Sequence, residues 1–231
     1  MNNILKHNDR RIKKLVDRIL KKRTKEQTTL VVIDFDECVI VEHLSKLVTQ
    51  SYKNRATITQ EDIAGHGLLS IANLLNCYTG LTRQEFEQTI VRLIEKITWK
   101  SGAVEILKIL SKEPFMLVFV SSGLEDAAKI ACKAVGLTSA HFIACHLDFS
   151  KEDIILGPYC VTGDTQKGIV VRLIAHKGGF NKVISIGHGK GDIHLIKNGT
   201  EGFRFSLRDD PEAMAVADYT LENWQDLLNY I

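Results

Sequence analysis

The apolar positions of the chain change period repeatedly, and those changes predict its elements. Residues 29–33 are a continuous apolar, β-branched run that stops at Asp34-Phe35-Asp36, as a buried parallel strand feeding a polar loop does. Residues 115–120 repeat the design and stop at Ser121-Ser122-Gly123, and residues 182–186 stop at Gly187-His188-Gly189. Helical spacing occupies residues 103–110, 127–135 and 167–175 between these strands. Strand and helix therefore alternate, which predicts an α/β fold: a Rossmann-like, doubly wound parallel sheet with its active site at the strands' carboxyl ends. Between the first strand and Gly102 the pattern is mainly helical, including residues 63–75 and 83–97, which predicts an inserted helical cap. Residues 2–27 place Ile4, Leu5, Ile12, Leu15, Val16, Ile19 and Leu20 at helical intervals among many Lys and Arg. They predict an amphipathic basic helix lying on its own domain with a solvated charged face. The expected organisation is a basic N-terminal helix over 1–28, a core domain from 29–40 and 100–231, and a helical cap over 41–99.

At 231 residues, 45% of them hydrophobic, the chain can bury one full core. A formal charge of +2 offers no general attraction to nucleic acid or anionic membrane, and neither is expected as a partner. Cys38, Cys77, Cys132, Cys145 and Cys160 are widely spaced without a C-x-x-C pair, which argues against a disulfide framework or zinc finger. With no long apolar run and no signal-like N-terminus, a cytoplasmic protein without a membrane span is expected.

The chemistry gathers at the strand ends. Asp34 and Asp36 stand one residue apart, a crowding of carboxylates that a hard divalent cation with oxygen ligands would offset. One could then attack phosphorus while the other exchanges a proton with leaving group and water. A lone D-x-D also serves as a turn or cap, so what counts is the company it keeps. Ser121, with the amides of Ser122 and Gly123 at a predicted helix start, can donate hydrogen bonds to phosphate oxygens. Lys167, at the head of an amphipathic helix, can neutralise a transferring phosphoryl group, and Asp192 follows.

With Asp34-Phe35-Asp36-Glu37-Cys38-Val39, Val120-Ser121-Ser122-Gly123, Lys167 beyond Thr162-Gly163-Asp164, and Gly187-His188-Gly189-Lys190-Gly191-Asp192, the chain resembles the haloacid dehalogenase (HAD) superfamily. Within it, the phosphoserine-phosphatase-like branch is the nearer, over residues 29 to 231. The resemblance implies a two-step phosphatase acting on a small phosphorylated metabolite. Asp34 would become an aspartyl-phosphate. Asp36 would act as acid and then base, its main-chain carbonyl also touching Mg²⁺. Ser121, Ser122, Gly123 and Lys167 would hold the phosphoryl oxygens, and Asp192, with His188 beside it, would complete the metal site.

The chain also departs from that pattern. His188 stands where the family has a metal-binding Asp, and imidazole is a poor Mg²⁺ ligand. Three readings stay open: weaker Mg²⁺ binding through Asp34 and Asp192, recruitment of a softer ion such as Mn²⁺, or loss of catalysis, leaving a phosphate-binding or regulatory module. Cys38 replaces the usual Thr or Ser. His43 stands where the family has a Glu, and residues 63–78 hold no Arg, so the amino-acid clamp is missing. Phosphoserine is therefore disfavoured, the phosphate ester of another small alcohol or amine is as plausible, and phosphotransfer to a small alcohol is compatible with the same residues. His141, Cys145 and His146 read as strand residues, with Cys145 and His146 on opposite faces, and His66 as an exposed cap-loop histidine; neither is expected to bind metal.

Overall fold

The computed structural model describes residues 2–55, 67–207 and 210–231. Residues 63–66 of the predicted cap helix, and His66 with them, lie outside these. Among the described residues, seven strands form one sheet in the order β4-β3-β2-β1-β5-β6-β7. They are β1 (Thr29–Ile33), β2 (Phe115–Leu124), β3 (His141–Phe149), β4 (Ile155–Cys160), β5 (Lys182–Gly187), β6 (Arg204–Leu207) and β7 (Tyr219–Leu221). Every pairing is parallel except β3 with the edge strand β4. After β1 the chain builds outward on one side through β2, then crosses back to place β5 on the other. The crevice outside the end of β1 is therefore the switch point of the sheet, where α/β folds bind ligands.

The continuous apolar run of β1 is explained by burial on both faces. Leu30 and Val32 join a cluster with Ile12, Val16 and Ile19 of α1 (Asn2–Leu20) and Val170, Val171 and Ile174 of α7 (Asp164–Gly178). Val31 and Ile33 face the other cluster, with Ile106, Leu107 and Leu110 of α5 (Ala103–Leu110) and Ala127, Ala128 and Ala131 of α6 (Glu125–Ala134). Each fully buried Val, Leu or Ile contributes about 1.5–3 kcal/mol. The basic helix α1 thus spends its apolar stripe on its own domain. Asn8 secures it by a two-way amide pair with Val161, at 2.8 and 2.9 Å. It ends at Leu20, short of the predicted 27, because Gln27 binds the Thr24 amide and Arg23 binds the Gln27 carbonyl, closing a loop in place of another helical turn. No described helix is long and apolar enough to cross a membrane.

β2 also differs from expectation: extended backbone continues through Ser121-Ser122-Gly123 to Leu124, with a register shift against β3 after Val120. The following helix starts at Glu125, so these residues form an irregular strand end, the kind of local break that re-aims side chains.

Residues between β1 and α5 supply α2 (Leu44–Gln50), α3 (Leu68–Leu75) and α4 (Arg83–Ile94). Thr82 and Glu85 form a capping box that starts α4, and i→i−3 hydrogen bonds at Lys96 and Ile97 replace its predicted last turn. Tyr78 is fully buried between Tyr52 and Phe86. At the opposite end of the chain the Trp224 indole donates to the Cys38 carbonyl at 3.3 Å, fixing the loop that follows Asp36.

Candidate active site

Asp34 is held as though β1 had not yet ended, its amide donating to the Ile186 carbonyl of β5 at 3.1 Å. Three residues on, Glu37 adopts φ +59°, a left-handed conformation that costs a non-glycine residue about 1–2 kcal/mol. This local curl takes the chain away from the strand direction just after Asp36. Lys167, in the first turns of α7, places Nζ 2.8 Å from Asp34 Oδ1 and 2.6 Å from Asp192 Oδ1. The second oxygen of Asp192 accepts from the amides of His188, at 2.9 Å, and Gly189, at 3.3 Å. Gly187 permits this packing, since a Cβ there would lie 2.4 Å from that of Asp192. Asp34, Asp36, Ser121, Ser122, Gly123, Lys167, His188 and Asp192 all line one cavity of about 240 Å³, small enough for a metabolite-sized ligand.

Charge is balanced inside this cleft. Burial works against the Lys167 ammonium, but the carboxylates of Asp192 and Asp34 raise its pKa above the ordinary lysine value. Burial likewise opposes the Asp192 carboxylate, yet the Lys167 charge and the His188 contact hold it well below the usual range. Ser121 Oγ accepts from the Gly123 amide at 3.1 Å and keeps its own proton to give. Ser122 Oγ is buried without a hydrogen-bond partner.

The carboxylate of Asp36 faces the start of α2. Its oxygens accept from the amides of Leu44 and Ser45, at 3.2 and 3.3 Å, and His43 Nδ1 sits 3.0 Å from Oδ2. Burial would raise this carboxyl, but His43 and the Ser45 contacts outweigh it and lower the pKa. Replacing His43 by Asn removes a lowering interaction, so the Asp36 titration midpoint should rise. Carboxyl ¹³C shifts followed through the acid range measure this, and an unmoved midpoint in H43N would show that His43 does not tune Asp36.

A divalent cation fits the other half of the cleft. Asp34, His188 and Asp192 each offer a ligand atom, all within 4.8 Å of one another. His188 Nδ1 is buried without an aligned hydrogen bond, 3.1 Å from Asp192 and 3.5 Å from Asp34. An imidazole among two carboxylates makes this donor set poorer for Mg²⁺, which prefers oxygen ligands throughout. The Asp36 carboxylate stands outside this trio, committed to His43, Leu44 and Ser45.

Of the residues singled out in the sequence, Asp34, Asp36, Ser121, Ser122, Gly123, Lys167, His188 and Asp192 lie in this cleft. Sequence reasoning treated His43 only as a departure and passed over Ser45, because their roles depend on how α2 seats over Asp36. It also read Asp164 only as part of a turn, yet Asp164 and Asp210 line the cleft too. Cys38 is fully buried, and burial pushes its thiol up to about 11 against an opposing His188 contact, so it stays protonated at neutral pH. Cys145 and His146 lie on β3 as expected. Among the described residues, the Asp34–His188–Asp192 trio is the one cluster with metal-ligand spacing.

No protein-family model matches the chain, and no curated protein matches it. Solved structures do. A substrate-bound phosphoserine phosphatase complex superposes with a TM-score of 0.66 at 21% identity, covering 90% of this chain and 100% of the other. A phospho-aspartyl intermediate analogue of phosphoserine phosphatase gives 0.65 at 22% identity, covering 89% and 99%. A HAD family hydrolase from Salmonella enterica subsp. enterica serovar Typhi gives 0.71 at 14% identity, covering 88% and 71%. Over nearly its whole length the chain therefore has the fold of these phosphoserine phosphatase structures.

Proposed function

We propose that the protein is a divalent-cation-dependent phosphatase that hydrolyses a small phosphomonoester through an aspartyl-phosphate on Asp34. The observation that carries this reading is Lys167, buried and bridging Asp34 and Asp192 in the same cleft as Ser121. A buried ammonium between two carboxylates provides an attacking oxygen and the positive charge that a transferring phosphoryl group requires. Neighbours of the same fold include a phospho-aspartyl intermediate analogue, which supports the same route here.

In the first step an oxygen of Asp34 attacks phosphorus, and the bond to the leaving alcohol breaks as the alcohol's own oxygen takes a proton from Asp36. The substrate's negative charge beside Asp36 favours its protonated form when substrate is bound. In the second step water attacks phosphorus, gives its proton to Asp36, and releases phosphate and the Asp34 carboxylate. Lys167, Ser121, Ser122 and the Gly123 region hold the phosphoryl oxygens throughout. A cation held by Asp34, His188 and Asp192, with the Asp36 carbonyl, would supply further neutralising charge. The cap over 41–99 would close on the core of 29–40 and 100–231. Five free, buried cysteines support a reducing, cytoplasmic setting.

The test is phosphate release from an aryl phosphate monoester with Mg²⁺ or Mn²⁺ titrated. Wild type should be activated at lower Mn²⁺ than Mg²⁺, and His188→Asp should tighten Mg²⁺ activation about tenfold or more. Binding of phosphate without turnover in both proteins would instead support a silent phosphate-binding module.

A further inference from the structure

Ser45, in the first turn of α2, joins two groups that the reaction needs in fixed relation. On one side its amide donates to Asp36 Oδ2 at 3.3 Å, and its hydroxyl also contacts that carboxylate. On the other side its Oγ accepts from the amide of Leu124 at 2.9 Å, the residue that follows Ser121, Ser122 and Gly123 of the phosphate cleft. Gly123 lies directly against this contact: a Cβ there would stand 2.5 Å from Ser45 Oγ and 2.8 Å from Asp36 Oδ2. The phosphate segment, the acid and α2 therefore meet at one packed point, around a hydroxyl able to accept and donate at once.

The partners in this joint are pinned from their far sides. Leu124 resumes the pairing with β3 opposite Cys145, and the Gly123 amide donates to Ser121 Oγ at 3.1 Å. Thr49 Oγ1, one turn along α2, donates to the Ser45 carbonyl at 2.8 Å and lies 2.6 Å from the hydroxyl of the fully buried Tyr78. So α2 is anchored to the body of the insertion through Thr49 and to the end of β2 through Ser45. The amides of Leu44 and Ser45 hold Asp36 to the helix, and its carboxylate goes where the helix goes. Cutting the link from Ser45 to Leu124 frees that carboxylate to shift against the phosphoryl group, and a misplacement of about 1 Å is enough to cost on the order of 10²-fold in rate.

We infer that Ser45 is a positioning residue, which sets Asp36 at the leaving oxygen by tying α2 to the end of β2. The inference rests on the phosphatase reading, and its test reads a ratio that a general loss of activity does not move. An alkyl alcohol leaves poorly without a proton whereas a nitrophenol leaves well without one, so the alkyl ester depends far more on the acid. With Mn²⁺ present, kcat/KM would be measured for propyl phosphate and para-nitrophenyl phosphate, with a thermal melt on each preparation. This constant covers the steps through departure of the alcohol, and the later attack of water does not enter it. A loosened phosphate segment lowers both substrates alike, but the alkyl-to-aryl ratio should fall about tenfold or more in Ser45→Ala. Gly123→Ala, whose methyl must push Ser45 Oγ or the Asp36 carboxylate aside, should lower the ratio as well. In Asp36→Asn the ratio is already low, and adding Ser45→Ala should lower it no further, as expected of a residue that acts through Asp36. An unchanged ratio in either folded single variant, a further fall in the double variant, or wild-type turnover of the aryl ester alone overturns the inference and leaves the phosphatase reading standing. No wild-type turnover of either ester overturns both.

Discussion

Asp34→Asn should lower turnover about 10⁴-fold or more while leaving the protein folded. The substitution keeps the shape of the side chain and removes only the nucleophilic oxygen and its charge, and loss of a covalent nucleophile leaves mainly the effects of binding and electrostatics. Lys167 still has Asp192 at 2.6 Å, so the buried ammonium stays paired and the melting temperature should change little. Phosphate affinity should hold or improve, because one negative charge has left the cleft. Single-turnover kinetics, a thermal melt and phosphate calorimetry on the same preparation check the three parts together. A variant that retains a tenth of wild-type turnover would remove Asp34 from the chemistry.

Lys167→Met should cost both stability and activity. It strands Asp34 and Asp192, both nearly fully buried, and removing one partner of a buried ionic group costs about 3–5 kcal/mol. For a chain of this size that corresponds to a drop in melting temperature on the order of 10 °C at neutral pH. The pH dependence has a definite sign. The folded-state pKa of Asp192 is depressed, so its contribution is present above the ordinary carboxylate pKa near 4 and is lost as pH falls through the folded value. In K167M the share owed to Lys167 is absent while the His188 contact remains, so the gap between the two proteins should narrow as pH drops below about 4. Adding Asp34→Asn to K167M should recover part of the loss, since it removes one of the stranded charges, and the two substitutions should not be additive. Equal melting temperatures at pH 7 would mean that Lys167 does not hold the carboxylates together.

Much of this arrangement was legible in the amino-acid order, for a physical reason. β1 and β5 are buried on both faces, so their sequences are unbroken apolar runs, and where the runs stop the chain must meet water or a ligand. Asp34, Ser121 and His188 stand at those stops, and the switch point of the sheet brings them together. Lys167 was legible from its place at the head of a helix, but what brings it to the cleft is β4, which returns antiparallel to β3 and ends opposite His146. The rest depends on contacts that local pattern does not encode. The clasp of Asp36 by His43, Leu44 and Ser45 depends on how α2 seats, and a lone His in a loop carries no sign of it. The antiparallel β3–β4 edge reads as ordinary apolar sequence until its neighbours are known. β2 was expected to stop at Val120 because Ser and Gly usually end strands, but Leu124 resumes the pairing across the irregular segment. The end of α1 was overestimated because Gln27 satisfies backbone groups that a further helical turn would have used.

The most direct test is to acid-quench the enzyme during steady turnover of a small phosphate ester and map the peptides by mass spectrometry. The account predicts a phosphoryl group on the peptide carrying Asp34, absent from Asp34→Asn. Sustained turnover with that carboxylate never labelled, or with the label on another side chain, would contradict it.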